Sequence, residues 1–196
     1  IGGCAPNAGK SFLSVNLAHI TGSADGRVLL IDADLRRGHL YKYLNGVRSP
    51  GLSDILARGV DSTPLIQRSP YNENVDFLPS GEYPPNPFEL LSKPDMKALL
   101  DEFLEAYKLI IVDVPPILSV ADGAVISRLV TTNFLVVRSG YQKIQEVRLA
   151  LDRFEHNGAH LTGFILNDLS PQAQSYAYGE YGGAYKSYRY DSKKAK

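Results

Sequence analysis

The chain has no tryptophan, one cysteine, one methionine and no excess of charge, with 21 Lys and Arg against 21 Asp and Glu in 196 residues. Each shortage excludes something. A single cysteine rules out an internal disulfide framework and fits a reducing compartment. Zero net charge removes the bulk attraction to nucleic acid or to a membrane surface. No run of 18 apolar residues occurs, so no segment reads as bilayer-spanning, and no signal peptide is visible. His19, His39, His156 and His160 lack metal-ligand spacing with other ligands, so no metal cluster is expected. Against these shortages stands a surplus: twelve tyrosines, six of them within residues 176–190.

With 44% hydrophobic and 21% charged residues, the composition is that of one soluble globular domain with a sizeable core. Four apolar runs end in polar or acidic residues, as buried strands do: "RVLLIDAD" (27–34), "KLIIVDVPP" (108–116), "TNFLVVRSG" (132–140) and "LTGFILND" (161–168). Helical spacing falls between them. Phe12, Leu13, Leu17 and Ile20 predict a helix after Lys10. Met96, Leu99, Leu100, Phe103 and Tyr107 predict a second over 94–107, with Pro94 in its first turn. Ile144, Val147, Leu151 and Phe154 predict a third over 143–157, stopped at Gly158. "NPFE" (86–89) reads as a capping box with Asn86 as the cap.

Strands alternating with helices predict an α/β fold: a parallel sheet covered by helices on both faces, with ligands beyond the carboxyl ends of the strands. This domain is expected over 1–169. Residues 170–196 form a low-complexity, tyrosine-rich tail of net charge +3 without helical or strand period. Only Ile1 stands where a phosphate-binding loop normally follows a strand, and no initiator methionine is present. The chain therefore reads as a piece of a longer one, with any membrane anchor outside it.

The segment "GGCAPNAGKSF" (2–12) nearly matches the P-loop pattern G-x-x-x-x-G-K-[ST], but the first glycine is Gly3 and Cys4 occupies the usual place. Backbone N–H groups of residues 6–12 (Pro6, Asn7, Ala8, Gly9, Lys10, Ser11, Phe12) can wrap a phosphate chain at a helix N-terminus. Lys10 would then reach the outer phosphates and Ser11 would bind Mg²⁺. A glycine-containing turn without a ligand is the competing reading of the loop alone. Asp32 and Asp34 in "LLIDADLRR" have period-2 spacing. They would share one face if the strand ran regularly through both, and could hold a metal and accept a proton. Asp113 ends "LIIVD" as a Walker B acid does. Taken singly, each acid is equally a cap or a solvated strand end. Arg36 and Arg37 read as a solvated face, Cys4 as small apolar packing, and Asn167 as a base contact or a turn residue.

These motifs in this order, "GCAPNAGKSF", "LLIDADLRRG", "IIVDVPP", "PPNPFELL" and the terminal tyrosines, resemble the cytoplasmic domain of bacterial tyrosine kinases, the BY-kinases of exopolysaccharide and capsule export. The resemblance runs from residue 1 to about 190. It implies an ATP- and Mg²⁺-dependent tyrosine autokinase. Lys10 would lie on phosphate, Asp32 and Asp34 would be a catalytic pair of base and metal ligand, and Ser11, Asp34 and Asp113 would surround the metal. Asn167 would lie on the base. Tyr176, Tyr178, Tyr181, Tyr185, Tyr188 and Tyr190 would be phosphorylated by a neighbouring subunit in a ring. It further implies a cytoplasmic location on an inner-membrane anchor, with the export machinery and a phosphotyrosine phosphatase as partners and no nucleic acid. His39 stands where such kinases commonly carry a regulatory tyrosine. The alternative is a deviant-Walker ATPase switch. Those proteins carry a second lysine where this chain has Ala5.

Overall fold

The computed structural model describes residues 1–23 and 26–170. The tail tyrosines and the 170–196 segment past Ser170 lie outside them. Among the described residues seven strands and seven α-helices, with a 3-10 turn at Thr63–Leu65, run in the order β1 (Gly2–Gly3), α1 (Lys10–Thr21), β2 (Val28–Asp32), α2 (Leu40–Tyr43), α3 (Leu52–Arg58), β3 (Gln67–Arg68), β4 (Val75–Leu78), α4 (Pro87–Ser92), α5 (Pro94–Ala106), β5 (Leu109–Asp113), α6 (Asp122–Ser127), β6 (Phe134–Arg138), α7 (Ile144–His156) and β7 (Gly163–Asn167). No helix among the described residues is long and apolar enough to cross a membrane.

The strands form two hydrogen-bonded groups, β3–β4–β2–β5 and β1–β6–β7, parallel throughout except for β3. Ile1 joins them: its nitrogen donates to Val112 O (2.6 Å) and its carbonyl accepts from Val114 N (3.2 Å). β1 therefore lies between β5 and β6, and the loop leaves from the middle of the sheet. Successive residues of β2 supply opposite faces, as the pleat requires. Val28 and Leu30 pack with Val15, Ala18, Leu40 and Phe77 under α1 and α2. Leu29 and Ile31 pack with Leu52, Leu91, Met96 and Phe103 under α3, α4 and α5. A smaller cluster of Cys4, Leu135, Ala150 and Phe154 lies beneath α7. Helices thus cover both faces, as the strand pattern requires.

Several local expectations change. Helix α1 forms where predicted, but turned: Phe12 is 54% and Ile20 80% exposed, while Lys10, Ser11, Ser14, Val15 and Ala18 face inward. Its first turns are given to polar contacts with β5, and small Ala18 lets the helix approach the sheet. All five predicted core residues of α5 are buried, whereas Ile144 at the start of α7 is 60% exposed. Gly158 closes α7 with φ +67°, a left-handed turn natural to glycine. At "NPFE" Asn86 is the cap residue, but its Nδ2 donates to Glu89 Oε2 (2.6 Å) instead of either side chain bonding the backbone. Strand β2 stops at Asp32, so Asp34 lies in the following turn and the two acids do not share a strand face.

Candidate active site

The loop between β1 and α1 turns twice through left-handed backbone, at Asn7 (φ 60°) and Gly9 (φ 92°). Such alternation points successive N–H groups into one concavity suited to an anion. Glycine at position 9 is required twice over. The dihedral disfavours a side chain, and a Cβ there would collide with Asn167 Nδ2. Gly3 has a different reason: a Cβ would come within 2.9 Å of the Lys10 Cγ and Cδ atoms. The early glycine thus makes room for the aliphatic stem of Lys10. Cys4 is fully buried against Ile117, Leu135 and Phe154, and burial pushes its thiol up to about 11. It is floor packing beneath the loop.

Three elements brace the loop from the far side. Asn167, at the end of β7, donates from Nδ2 to Ala8 O (3.0 Å). Arg138, at the end of β6, donates from Nη1 to Asn7 O (3.4 Å) and from Nε to Asp168 Oδ2 (2.9 Å). Ile117 N donates to Gly3 O (2.9 Å). Arg138 escaped the sequence reading, although a lone cation ending an apolar strand is the same signal that exposed the acids.

The acids gather at the carboxyl ends of β2 and β5. Ser11 Oγ donates to Asp113 Oδ2 (2.6 Å), and Ser14 Oγ, one turn on, donates to Asp113 Oδ1 (3.2 Å). Asp32 and Asp113 are in register on adjacent strands, both almost wholly buried. Burial, with the neighbouring carboxylate, pushes Asp32 up to about 8, against backbone N–H bonds from Leu40 (3.0 Å) and Asp34 (3.2 Å). Burial likewise raises Asp113, opposed by its bond from Ser11 and by Lys10. Lys10 is lowered by burial and supported by Asp113 and Asp34. It makes no ion pair among the described residues. Asp113 and the Ser11 hydroxyl are hard oxygen donors, and the buried Asp32 carboxylate beside them adds like charge that is unfavourable when both acids are ionised. A divalent cation relieves that repulsion, and the donor set suits Mg²⁺.

Asp34 is half-buried, and its Oδ1 accepts from the backbone nitrogens of Arg36 (3.2 Å) and Arg37 (2.9 Å). Arg36 is not simply a solvated side chain. Its Nε and Nη2 reach Asp122 Oδ2 (2.7 Å) and Oδ1 (3.2 Å), and Asp122 is fully buried. This fork ties the turn carrying Asp34 to the start of α6, just after the loop from Asp113. Asp122 was invisible in the sequence, where "VADGAV" offers an acid at a helix start and nothing more. His39 sets Nδ1 against Arg37 O (3.0 Å) and its ring 5.9 Å from that of Tyr43. Ala5 carries no cation into the loop.

The arrangement is that of a nucleotide-binding P-loop. No family profile matches the chain. The tyrosine-protein kinase ptk of Acinetobacter johnsonii is 42% identical over 176 residues, which is 90% of this chain and 24% of ptk. The chain thus spans about a quarter of the length of this curated relative. The kinase domain of Escherichia coli tyrosine kinase ETK superposes with a TM-score of 0.81 at 40% identity, covering 85% of this chain and 65% of that one. The chimerical protein CapA2B2 gives 0.80 at 32% identity, covering 85% and 74%. Identity of this order over most of the chain, joined to the shared fold, makes the chain a member of the bacterial tyrosine kinase family, to whose kinase domain it corresponds.

Proposed function

We propose that the chain is an ATP- and Mg²⁺-dependent protein tyrosine kinase domain. Its acceptors are the tyrosines of its own C-terminal cluster, Tyr176, Tyr178, Tyr181, Tyr185, Tyr188 and Tyr190, presented by a neighbouring subunit of a ring. The observation that carries this reading is the meeting of Ser11 with Asp113, beside Asp32, at the mouth of the loop. The N–H groups of residues 6–12 hold the phosphate chain and Lys10 neutralises its outer end. Ser11, Asp34 and Asp113 hold Mg²⁺, which when bound supplies charge neutralisation of the transferring phosphoryl group. Asp32, at the end of β2 beside Asp113, accepts the proton of the incoming phenol. Asn167, at the rim beside Ala8, contacts the base.

In this reading 1–169 is the catalytic domain and 170–196 the substrate tail. The chain works on the cytoplasmic side of the inner membrane, with a membrane-spanning part of the same or a partner chain, the exopolysaccharide export machinery and a phosphotyrosine phosphatase as partners. Each phosphate adds about −1.5 to −2 charges, so full modification reverses the tail's charge of +3. Incubation with Mg²⁺-ATP, followed by phosphosite mapping, tests the proposal. Phosphotyrosine within 176–190 that vanishes in Lys10→Met supports it. Hydrolysis of ATP without phosphotyrosine overturns it in favour of an ATPase switch.

A further inference from the structure

Four buried side-chain nitrogen or oxygen atoms among the described residues have no hydrogen-bond partner: Arg48 Nε, Arg48 Nη2, Ser80 Oγ and Gln142 Nε2. Three of the four lie at one junction, where 48–51 meets 79–83. Gly81 N donates to Arg48 O (3.0 Å) and Leu52 N to Pro79 O (2.8 Å). The same junction borders the acids. A Cβ on Gly38 would meet both Ser80 and, at 2.8 Å, Asp32 Oδ2. The Arg48 guanidinium lies over the Tyr83 ring, its central carbon 3.3 Å from the ring centroid. It forms no ion pair among the described residues, unlike Arg27, Arg36, Arg58 and Arg138.

Buried donors are nearly always satisfied, and a guanidinium fixed by an aromatic face presents its in-plane N–H groups as a rigid fork. That fork matches a tetrahedral or planar anion. The chain itself indicates which anion. Successive tail tyrosines are two to four residues apart, which in an extended segment is about 7–13 Å. Contacts link Asp32 to Arg48: Gly38 lies beside both Asp32 and Ser80, and Gly81, next to Ser80, donates to the Arg48 carbonyl.

We propose that Arg48, stacked on Tyr83, is a phosphotyrosine subsite beside the aspartates. It holds one modified tail tyrosine while the next stands before Asp32. The proposal rests on the tail being the substrate, and it makes the first phosphorylation of a tail favour the second.

The test is a binding measurement without ATP, so that loss of kinase activity cannot be mistaken for failure of the subsite. Peptides spanning residues 174–186 are titrated into the 196-residue chain, with Tyr181 either free or phosphorylated. The phosphorylated peptide is expected to bind at least tenfold tighter, and inorganic phosphate should compete only at millimolar concentration. Arg48→Gln should abolish the preference, and Arg48→Lys, which keeps charge but loses the fork, should retain only part of it. If the glutamine variant fails to melt cooperatively, the lysine variant alone decides. Equal affinity for the two peptides overturns the proposal, as does a preference unaffected by replacing Arg48. Phosphate competing as well as the peptide would reveal a bare anion site and likewise overturn it.

Discussion

Ser11 Oγ donates to Asp113 Oδ2 at 2.6 Å, joining residues 102 positions apart. The bond fixes the first turn of α1 against the end of β5. Asp113→Asn keeps the shape and removes the charge. It is expected to weaken Mg²⁺-ADP binding by ~10-fold or more while changing Mg²⁺-free ADP binding by less than about threefold. Titrations with and without Mg²⁺ check this, and equal losses would remove Asp113 from the metal site.

Gly9→Ala should be costly beyond its size. It places a side chain at φ 92° and drives Asn167 away from Ala8. A loss of about 1–2 kcal/mol in urea unfolding is expected, with weakened nucleotide binding.

The Arg36–Asp122 fork supports a prediction about stability. Arg36→Ala leaves Asp122 buried and uncompensated. The Arg36 side chain is 42% exposed, so solvent already screens the pair. The expected cost is therefore about 1–3 kcal/mol, below the ~3–5 of a fully buried pair. Adding Asp122→Asn to Arg36→Ala should recover part of the loss, as a double-mutant cycle of melts would register.

Cys4 yields a pH dependence. Its thiol is raised from 9.0 to about 11, so the folded chain holds that proton more tightly than the unfolded chain. The associated stability is complete below pH 9 and is lost as the pH rises through about 11. The difference in unfolding free energy between wild type and Cys4→Ala should therefore shrink across that window. At pH 8 a thiol reagent should label the native chain no faster than the chain unfolds.

Strand ends were legible wherever an apolar run met a carboxylate: Asp32 and Asp113 announce themselves, as does the inward stripe of α5. Strand β4 was not legible. Asp76 sits in the middle of its four residues and is tolerated there because Arg27 pairs with it and Tyr107 Oη donates to it (2.8 Å). Local reading cannot see partners 49 and 31 residues away. The same holds for Asp122, whose partner lies 86 residues back. The buried face of α1 was misjudged because its inward serines serve the site, where polar contacts override the hydrophobic rule. Of the site, residue types and order were readable in the loop and the two strand ends. The brace from Arg138 and the role of Gly3 follow only from how the chain returns on itself.

The contact of Asn167 with Ala8 also sets the length of a leash. Tyr176 follows Asn167 by nine residues, which can span at most about 32 Å. In the proposed function the first acceptor is thus bound covalently within that reach of its own chain's loop. Labelling per molecule that rises with protein concentration would show that the proposed transfer passes between subunits rather than within one chain.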